Sequence, residues 1–152
     1  VIGPVTFLLL SKRTDGGDTL KLLPKLMPSY IDLVKRVAKM GKGIVVQFDE
    51  TARARDPDAR ALECLVSVYA ELCSIAGDEV RLLVFTAFDH AKELVHALRD
   101  VPLFGMGLDF VHGPENIDAL ADLNGKTLFA GVVDGRNIWK NHYRAFLAST
   151  DF

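Results

Sequence analysis

The chain has 152 residues, of which 49% are hydrophobic and 25% are charged, and its formal net charge at pH 7 is −2. This composition is typical of a folded globular domain and excludes a disordered or low-complexity chain. The basic residues form no run or stripe, so the charge gives no reason to expect a nucleic acid or a membrane surface as partner. The apolar start of the chain is too short and too interrupted to span a bilayer.

The two cysteines, Cys64 and Cys73, lie nine positions apart in one predicted helix. Nine positions correspond to two and a half helical turns, so the two thiols are expected on opposite faces. They are therefore predicted to be reduced, half-buried packing residues that form neither a disulfide nor a metal site. Reduced thiols are typical of a cytoplasmic protein.

In the first half of the chain, apolar spacing predicts alternating strands and helices. Residues 4–10 are predicted to form a strand, or a strand passing into a short helix. Asp18 or Thr19 is predicted to cap a helix that ends near Met40, in which Pro28 implies a kink or a later start. A buried strand (44–48) and a helix (59–75) closed by Gly77 follow.

The second half continues the alternation with strand 80–85, helix 91–98, strand 105–110, helix 114–123, strand 128–133 and helix 139–147. The strands are apolar on both faces, which indicates a parallel sheet covered on both sides. The order gives about five βα units, whereas a complete eightfold barrel needs about 250 residues. A doubly wound open sheet fits the length better, so both an incomplete barrel and an open sheet stand at this point.

Polar side chains follow the predicted strands, where parallel architectures build their sites. The chain carries no glycine-rich phosphate loop, and this absence favours the barrel. No metal site is predicted. The candidate substrate-side residues are Asp49, Asp109, Asp134, Arg136 and Asn137.

Several of these strand-end residues have a structural as well as a functional interpretation. Asp49 and Glu50 could form an acid/base pair, but neighbours on a strand point in opposite directions. We therefore expect Asp49 to accept amide hydrogen bonds from a loop and Glu50 to be solvated. Asp134, Arg136 and Asn137 could contact a ligand; alternatively, Asp134 pairs with Arg136 or caps the helix that holds Trp139. His112 is the one histidine expected at a site.

Four stretches carry a resemblance to a known family: Gly3–Leu10, Gln47–Glu50, Gly107–Val111 and the nonapeptide Gly131–Trp139, which is the most specific. Together they resemble the N-terminal domain of cobalamin-independent methionine synthase over residues 2 to about 146. The resemblance implies an α/β fold of the parallel (β/α)8 TIM-barrel type. Residues 1–152 would then be a partial N-terminal barrel domain that contains the later strands.

The family resemblance also implies a function. Its members are two-barrel enzymes that transfer a methyl group from 5-methyltetrahydrofolate polyglutamate to homocysteine in methionine biosynthesis, without cobalamin. Zinc in the C-terminal barrel is held by His, Cys, Glu and Cys, the first two one residue apart, and binds the homocysteine thiol. No His-x-Cys occurs here. We therefore expect no cofactor and no catalytic residue in this chain, which would supply scaffold and one wall of the folate site. The expected partners are the parent's C-terminal catalytic barrel, folate polyglutamate and homocysteine.

The chain departs from the family pattern at two loops. Thr51 replaces a proline, and residues 86–89 (Thr-Ala-Phe-Asp) stand where members have Tyr-Phe-Gly. Two other functions remain: a stand-alone, non-catalytic module acting in assembly, and an unrelated barrel enzyme of the uroporphyrinogen-decarboxylase-like group. The decarboxylase-like function is disfavoured, because the chain lacks the arginine clusters that bind the anionic substrates of that group. Because an incomplete barrel exposes two strand edges, we also expect the chain to associate with itself.

Overall fold

A computed structural model of the chain describes residues 1–52, 58–136 and 138–139. Its centre is one sheet of four parallel strands whose spatial order equals their order in the chain. The strands are β1 (Ile44–Asp49), β2 (Val80–Phe85), β3 (Gly105–Asp109) and β4 (Thr127–Gly131). The α/β class and the parallel sheet predicted from the sequence are therefore confirmed.

Helical segments precede and connect the strands. The α-helices are α1 (Pro4–Leu10), α2 (Leu23–Ala38), α3 (Ala59–Ala76) and α4 (Lys92–Ala97), and 3₁₀-helices span Thr19–Leu22 and Pro114–Leu123. Asp18 caps the first 3₁₀-helix by accepting a hydrogen bond from the Leu20 amide, and Gly77 ends α3 with a φ of 52°. None of the described helices is both long and apolar enough to cross a membrane.

The hydrophobic core lies between one face of the sheet and the helices. Alternate strand residues point to this helix face, among them Val46, Phe48, Val84 and Met106, and they pack with apolar side chains of the helices. Tyr69 and Leu72 of α3 are fully buried there. Burial of these side chains is the main force that holds the connecting helices onto the sheet.

The opposite face of the sheet, which we call the open face, carries the other strand residues. Val45 and Phe129 on it remain 44% and 38% exposed, and Leu83 is buried but lies outside the main core. The prediction that all strands are covered on both faces is therefore wrong for the outer strands β1 and β4. The open-face residues Val45, Gln47, Thr127 and Phe129 are exposed because no further layer covers this face in the described part of the chain.

The first residues of the chain run beside β1. Ile2 forms a parallel bridge with Asp49, the Gly3 amide donates to the Asp49 carbonyl, and the Asp49 amide donates to the Val1 carbonyl. The edge of β1 is thus already paired at its carboxyl end. This pairing positions the start of α1 against the end of β1.

Residues 4–10 form helix α1, so the strand predicted over these residues is wrong, whereas the short helix of the alternative prediction is present. Pro4 occupies the first turn, where its fixed φ suits a helix and its missing N–H costs nothing. The amides of Val5 and Thr6, which lie in the first turn and therefore have no acceptor within the helix, donate to the carboxylate of Glu50. This long-range contact explains why an apolar run typical of a strand is helical.

Three other predictions need adjustment. Helix α2 begins at Leu23 and continues through Pro28, so the later start is wrong. Residues 114–123 form a 3₁₀-helix, which ends as predicted because Asn124 takes a left-handed φ of 50°. Strand β4 ends at Gly131, two residues before the predicted end at Val133. The helix predicted over residues 139–147 lies outside the described residues, except for its first residue.

The structure predicts that Gly107 cannot be exchanged for alanine without loss of stability. A Cβ at Gly107 would lie 2.0 Å from Cδ2 of Phe85, so the Phe85 ring would have to leave its place on the open face. We expect Gly107→Ala to lower the free energy of unfolding by about 1–3 kcal/mol, measured by urea denaturation.

Gly135→Ala is the matched control, because nothing lies within 4 Å of a Cβ there. A Gly107→Ala variant as stable as Gly135→Ala would contradict the close packing of Phe85 on Gly107.

Candidate functional site

The end of β1 carries two adjacent carboxylates with opposite surroundings. Glu50 is only 2% exposed, and its oxygens accept hydrogen bonds from the Val5 amide (3.3 Å), the Thr6 amide (2.7 Å) and the Tyr69 hydroxyl (2.8 Å). Asp49 is partly exposed and accepts a hydrogen bond from Nε2 of Gln47 at 2.6 Å. The expectation of a solvated Glu50 and a loop-binding Asp49 is wrong, because the roles are reversed.

Burial determines the ionisation of Glu50. Desolvation raises the pKa of its carboxyl above the ordinary value, although the hydrogen bonds from Thr6, Tyr69 and Val5 act in the opposite direction. Burial also raises the pKa of Tyr69 well above its ordinary value, so its hydroxyl remains a donor. All three contacts hold helix α1 and helix α3 to the end of β1, which makes Glu50 a structural anchor.

Asp109, the last residue of β3, organises the next part of the edge. One carboxylate oxygen accepts from the amides of Val111 (2.9 Å) and His112 (3.0 Å), and the other accepts from the Phe88 amide (3.0 Å) and lies 3.0 Å from Nδ1 of His112. Partial burial alone would raise the pKa of Asp109, but these hydrogen bonds outweigh burial and lower it. Asp109 is therefore an ionised carboxylate that fixes two loops.

Asn116 connects the same two loops through hydrogen bonds of its buried side chain. Its side chain is fully buried, accepts a hydrogen bond from the Ala91 amide at 2.7 Å, and donates to the carbonyls of Asp89 (3.2 Å) and Asp109 (2.8 Å). The loop after β2 and the loop after β3 are thus tied to each other as well as to the sheet. Such a fully bonded buried amide makes local geometry rigid.

Phe88 is held at the surface of this rigid unit. Its backbone has a φ of 76°, a conformation that bulky side chains rarely adopt, and its side chain is 59% exposed. The guanidinium carbon of Arg136 lies 5.1 Å from the centre of the Phe88 ring, and the His112 ring centre lies 6.4 Å away. The edge of the sheet therefore presents an aromatic ring beside a cation and an imidazole.

The carboxylate of Asp134 contacts the backbone of Arg136. Its Oδ1 accepts a hydrogen bond from the backbone amide of Arg136 at 2.9 Å, which closes a tight turn, and the described contacts of the Arg136 guanidinium are with Phe88 instead. Asp134 lies three residues beyond the end of β4 and does not follow it directly. Asn137 lies outside the described residues.

Of the predicted site residues, Asp109, Arg136 and His112 meet around Phe88. Asp49 does not join them, because β2 lies between β1 and β3 and two strand spacings amount to about 10 Å. The sequence interpretation missed Phe88 as a contact residue. Its one signal was the departure from the family pattern at residues 86–89.

Neither the cysteines nor the other potential metal ligands of the described residues form a metal site. Cys64 and Cys73 are free and half-buried, as predicted, and burial raises the pKa of the Cys73 thiol to about 11. Within residues 1–52, 58–136 and 138–139, no three His, Cys, Asp or Glu side chains lie close enough together to hold a metal ion. The described donors therefore do not fit a zinc site.

Comparison with known proteins identifies the family. The family described as "Cobalamin-independent synthase, N-terminal domain" matches residues 1–151. The chain belongs to this family. The resemblance seen in the nonapeptide Gly131–Trp139 and in the other strand-end stretches is thereby confirmed, and kinship with decarboxylase-like barrels is not needed to explain them.

Curated relatives of the family share the same printed name, 5-methyltetrahydropteroyltriglutamate–homocysteine methyltransferase. The protein of Desulforamulus reducens is 51% identical over 144 residues, which cover 94% of this chain and 19% of the relative. The proteins of Mycobacterium tuberculosis H37Rv and Neisseria meningitidis serogroup B are 41% and 36% identical over 153 residues, covering 98% and 99% of this chain and 20% of each relative. The chain thus spans about a fifth of the length of these family members.

Glu50 provides a pH-dependent prediction. A carboxyl whose pKa is raised by folding binds more protons in the folded state, so its contribution to stability falls as pH rises from the ordinary pKa of 4.5 through the higher folded value. Glu50→Gln removes this titration. It also places the side-chain NH₂ group of Gln against one of the donors that the Glu50 carboxylate accepts from in the original chain. We expect the variant to be less stable by about 1–3 kcal/mol, with the difference from the original chain largest at low pH.

The measurement is the free energy of unfolding by urea of both proteins from pH 4.5 to 8. Tyr30→Phe serves as control, because its hydroxyl donates to the Ile2 carbonyl and leaves the bonds to Glu50 intact. A stability difference that is flat over this range would contradict the raised pKa.

Asn116 provides a second prediction. Asn116→Ala leaves one amide and two carbonyl groups without their partner, so we expect a loss of at least about 2 kcal/mol in the free energy of unfolding. Gln47→Ala, which removes an exposed amide, should change stability by less than about 0.5 kcal/mol. Equal effects of the two substitutions would show that Asn116 does not brace the loops.

Proposed function

We propose that this chain is part of the folate-side N-terminal domain of a cobalamin-independent methionine synthase. The parent enzyme would transfer a methyl group from a 5-methyltetrahydropteroyl polyglutamate to homocysteine; the printed name of its relatives gives the triglutamate as their methyl donor. The observation that carries this proposal is the 51% identity to the Desulforamulus reducens methyltransferase over 94% of the chain. We further propose a cytoplasmic location, which the free thiols of Cys64 and Cys73 support.

We infer that the sheet is a section of a closed (β/α)8 barrel and that residues 1–152 are a partial barrel domain. The consecutive strand order supports this, because a doubly wound sheet reverses its order at a switch point. The open face would then be the barrel interior, lined by Leu83, Phe85 and Phe129. The outer edges of β1 and β4 would pair with other strands of the parent, or with a second copy of this chain when it is alone.

In methyl transfer this chain would form part of the folate site and would take no part in the metal chemistry. Since the described His, Cys, Asp and Glu side chains do not converge on a metal position, we propose that zinc and homocysteine are held by the parent's C-terminal barrel. Bound zinc would favour the thiolate form of homocysteine, which is the nucleophile. The parent enzyme would need no cobalamin.

On the substrate side, the rigid edge around Asp109 would form one wall of the folate site. Asp109 itself would act by positioning, because both of its oxygens are occupied by loop donors. Arg136 would supply the positive charge that a polyglutamate requires, and Asp134 would fix the Arg136 backbone by its turn. Asp49 lies away from this wall and would contribute through β1 alone.

A segment exchange tests the proposal. The matching segment of the Desulforamulus reducens methyltransferase, of which 144 residues align, is replaced by this chain, and methyl transfer to homocysteine and bound zinc are measured. We expect the chimera to keep its zinc and at least about a tenth of the original rate, because a tenfold loss corresponds to only about 1.4 kcal/mol. Deletion of the segment is the negative control.

The chain alone should bind no stoichiometric zinc, catalyse no methyl transfer and elute from gel filtration as a dimer. A chimera that folds and binds zinc but transfers no methyl group would overturn the proposed function. A stable monomer of the chain alone would contradict the exposed barrel edges and favour a stand-alone module.

A further inference from the structure

We propose that two copies of this chain close one eight-stranded parallel barrel, in which β4 of each copy pairs with β1 of the other and the two open faces meet inside. The inference rests on the barrel section of the proposed function and deepens it, because it assigns the partner, the pairing and the register. The partner is a second copy, because each copy supplies four parallel strands in consecutive order and a barrel of this type has about eight.

The outer edge of β4 is the first observation that carries this inference. The Thr127 amide and the Gly131 carbonyl bond to neighbours on the β3 side, so these residues direct their backbone groups towards β3. Because backbone groups alternate along a strand, those of Leu128 and Ala130 point away from the sheet. Within the described ranges no strand pairs with them. This edge can therefore accept another parallel strand.

The outer edge of β1 is occupied at its carboxyl end only. Asp49 bonds outward to Val1 and Gly3, and the Gln47 carbonyl accepts from the amino group of Val1. Nearer to the amino end of β1, the outward groups are the Gln47 amide and both backbone groups of Val45. In the described part of the chain these groups meet no neighbouring strand. A strand that pairs here must therefore end where Val1 begins.

The register follows from the geometry of an eightfold barrel. One row of paired residues runs straight across the sheet: Phe48, Val84, Met106 and Leu128. Because barrel strands tilt, a row perpendicular to them returns to its starting strand about eight residues nearer to the amino end, so each half accounts for about four. Leu128 of one copy is thereby placed opposite the partner's Ile44, which precedes Phe48 by that distance in sequence.

The free backbone groups fit this register, which places Ala130 opposite the partner's Val46. The Ala130 amide can then donate to the partner's Val45 carbonyl, and the Ala130 carbonyl can accept from the partner's Gln47 amide. Strand β4 ends at Gly131, so it stops before the segment that already covers the carboxyl end of β1. The shear of the barrel and the free groups of the two edges thus select the same pairing.

The interior side chains of two copies form a regular layer. Leu83 lies in one row with Thr127, and each strand of a tilted barrel is displaced by about one residue against its neighbour. Since β4 lies two strands beyond β2, the residue level with Leu83 is Phe129. Leu83 and Phe129 of both copies would therefore form one layer of about four side chains from alternate strands, which is how such barrels are filled.

The exposure of the open face agrees with this arrangement. Val45 and Phe129 are large apolar side chains that stay partly exposed in one copy, and closure would remove them from water. The charged open-face residues lie near the strand ends, because Arg81 is the second residue of β2 and Asp49 is the last of β1. Both would lie at the mouths of the barrel, where water can solvate their charges.

Disulfide cross-linking tests the register. Phe129 lies opposite the partner's Val45, and both side chains are outside the main core, so Val45→Cys/Phe129→Cys should keep the fold. Within one chain β1 and β4 are about 14 Å apart, which is too far for a disulfide. With oxidised glutathione as the oxidant, we expect most of this variant to run as a covalent dimer on a non-reducing gel.

The matched control moves one cysteine along β4 by two residues. In Val45→Cys/Thr127→Cys the two positions would be about 8 Å apart across the contact, beyond the reach of a disulfide. The original chain, whose Cys64 and Cys73 are free, is the second control. Both should run as monomers on the same gel after the same oxidation.

Native mass spectrometry measures the assembly itself. The 152-residue chain should give a dimer without larger species, because a closed ring leaves no strand edge free. Ala130→Pro removes an outward amide and leaves the bonds of β4 to β3, as proline on an edge strand permits. It should raise the dimer Kd at least about tenfold, since one bond is lost at each of the two contacts. Ala130→Ser keeps the amide and should leave the Kd unchanged.

The outcomes distinguish this inference from the proposed function. A monomeric chain, a ladder of larger species, equal cross-linking of the two cysteine pairs, or an unchanged Kd in a folded Ala130→Pro would each overturn the two-copy barrel. Any of these results beside an active chimera would leave the methyltransferase role intact. A cross-linked dimer beside an inactive chimera would reject that role and leave the two-copy barrel standing.

Discussion

The carboxylate of Asp109 stands at the end of β3, and its two oxygens are shared among donors from two different loops. Because a buried or half-buried carboxylate must be compensated, the loops after β2 and β3 are constrained to approach it closely. The strained position of Phe88 and the orientation of His112 both follow from this requirement. The arrangement of this edge therefore depends on one ionised side chain, whose two oxygens are occupied by loop donors.

The sequence predicted those features that depend on local pattern. Apolar periodicity gave the positions of β2 and α3 to within a residue, and Asn124 and Gly77 marked helix ends because only certain residues tolerate a left-handed backbone. It also placed Asp109 and Arg136 at one edge of the sheet, since parallel strands bring their carboxyl ends together, and in the structure both residues contact Phe88. Local rules were sufficient for these features.

The sequence could not predict features that depend on contacts distant along the chain. Helix α1 is stabilised by a carboxylate 44 positions away, between Thr6 and Glu50, and a hydrophobic pattern contains no trace of that partner. The exchange of roles between Asp49 and Glu50 has the same origin. Strand alternation shows that the two side chains point to opposite faces, but the packing of Tyr69 determines which face is dry. Phe88 was missed because its backbone amide is held by Asp109, a partner 21 positions away along the chain.

The bridge between Ile2 and Asp49 fixes the register of any strand that pairs with the outer edge of β1. Paired residues of neighbouring strands project on the same side, so Ile2 shares its side with Asp49, Gln47 and Val45. Any segment that continues along β1 from Ile2 keeps this alternation, with every second side chain on the open face of the sheet. Insertion or removal of a single residue there would invert the alternation and turn the open-face side chains towards the helices. A register shift of two residues along this edge would leave each side chain on the same face of the sheet, whereas a shift of one residue would move it to the opposite face.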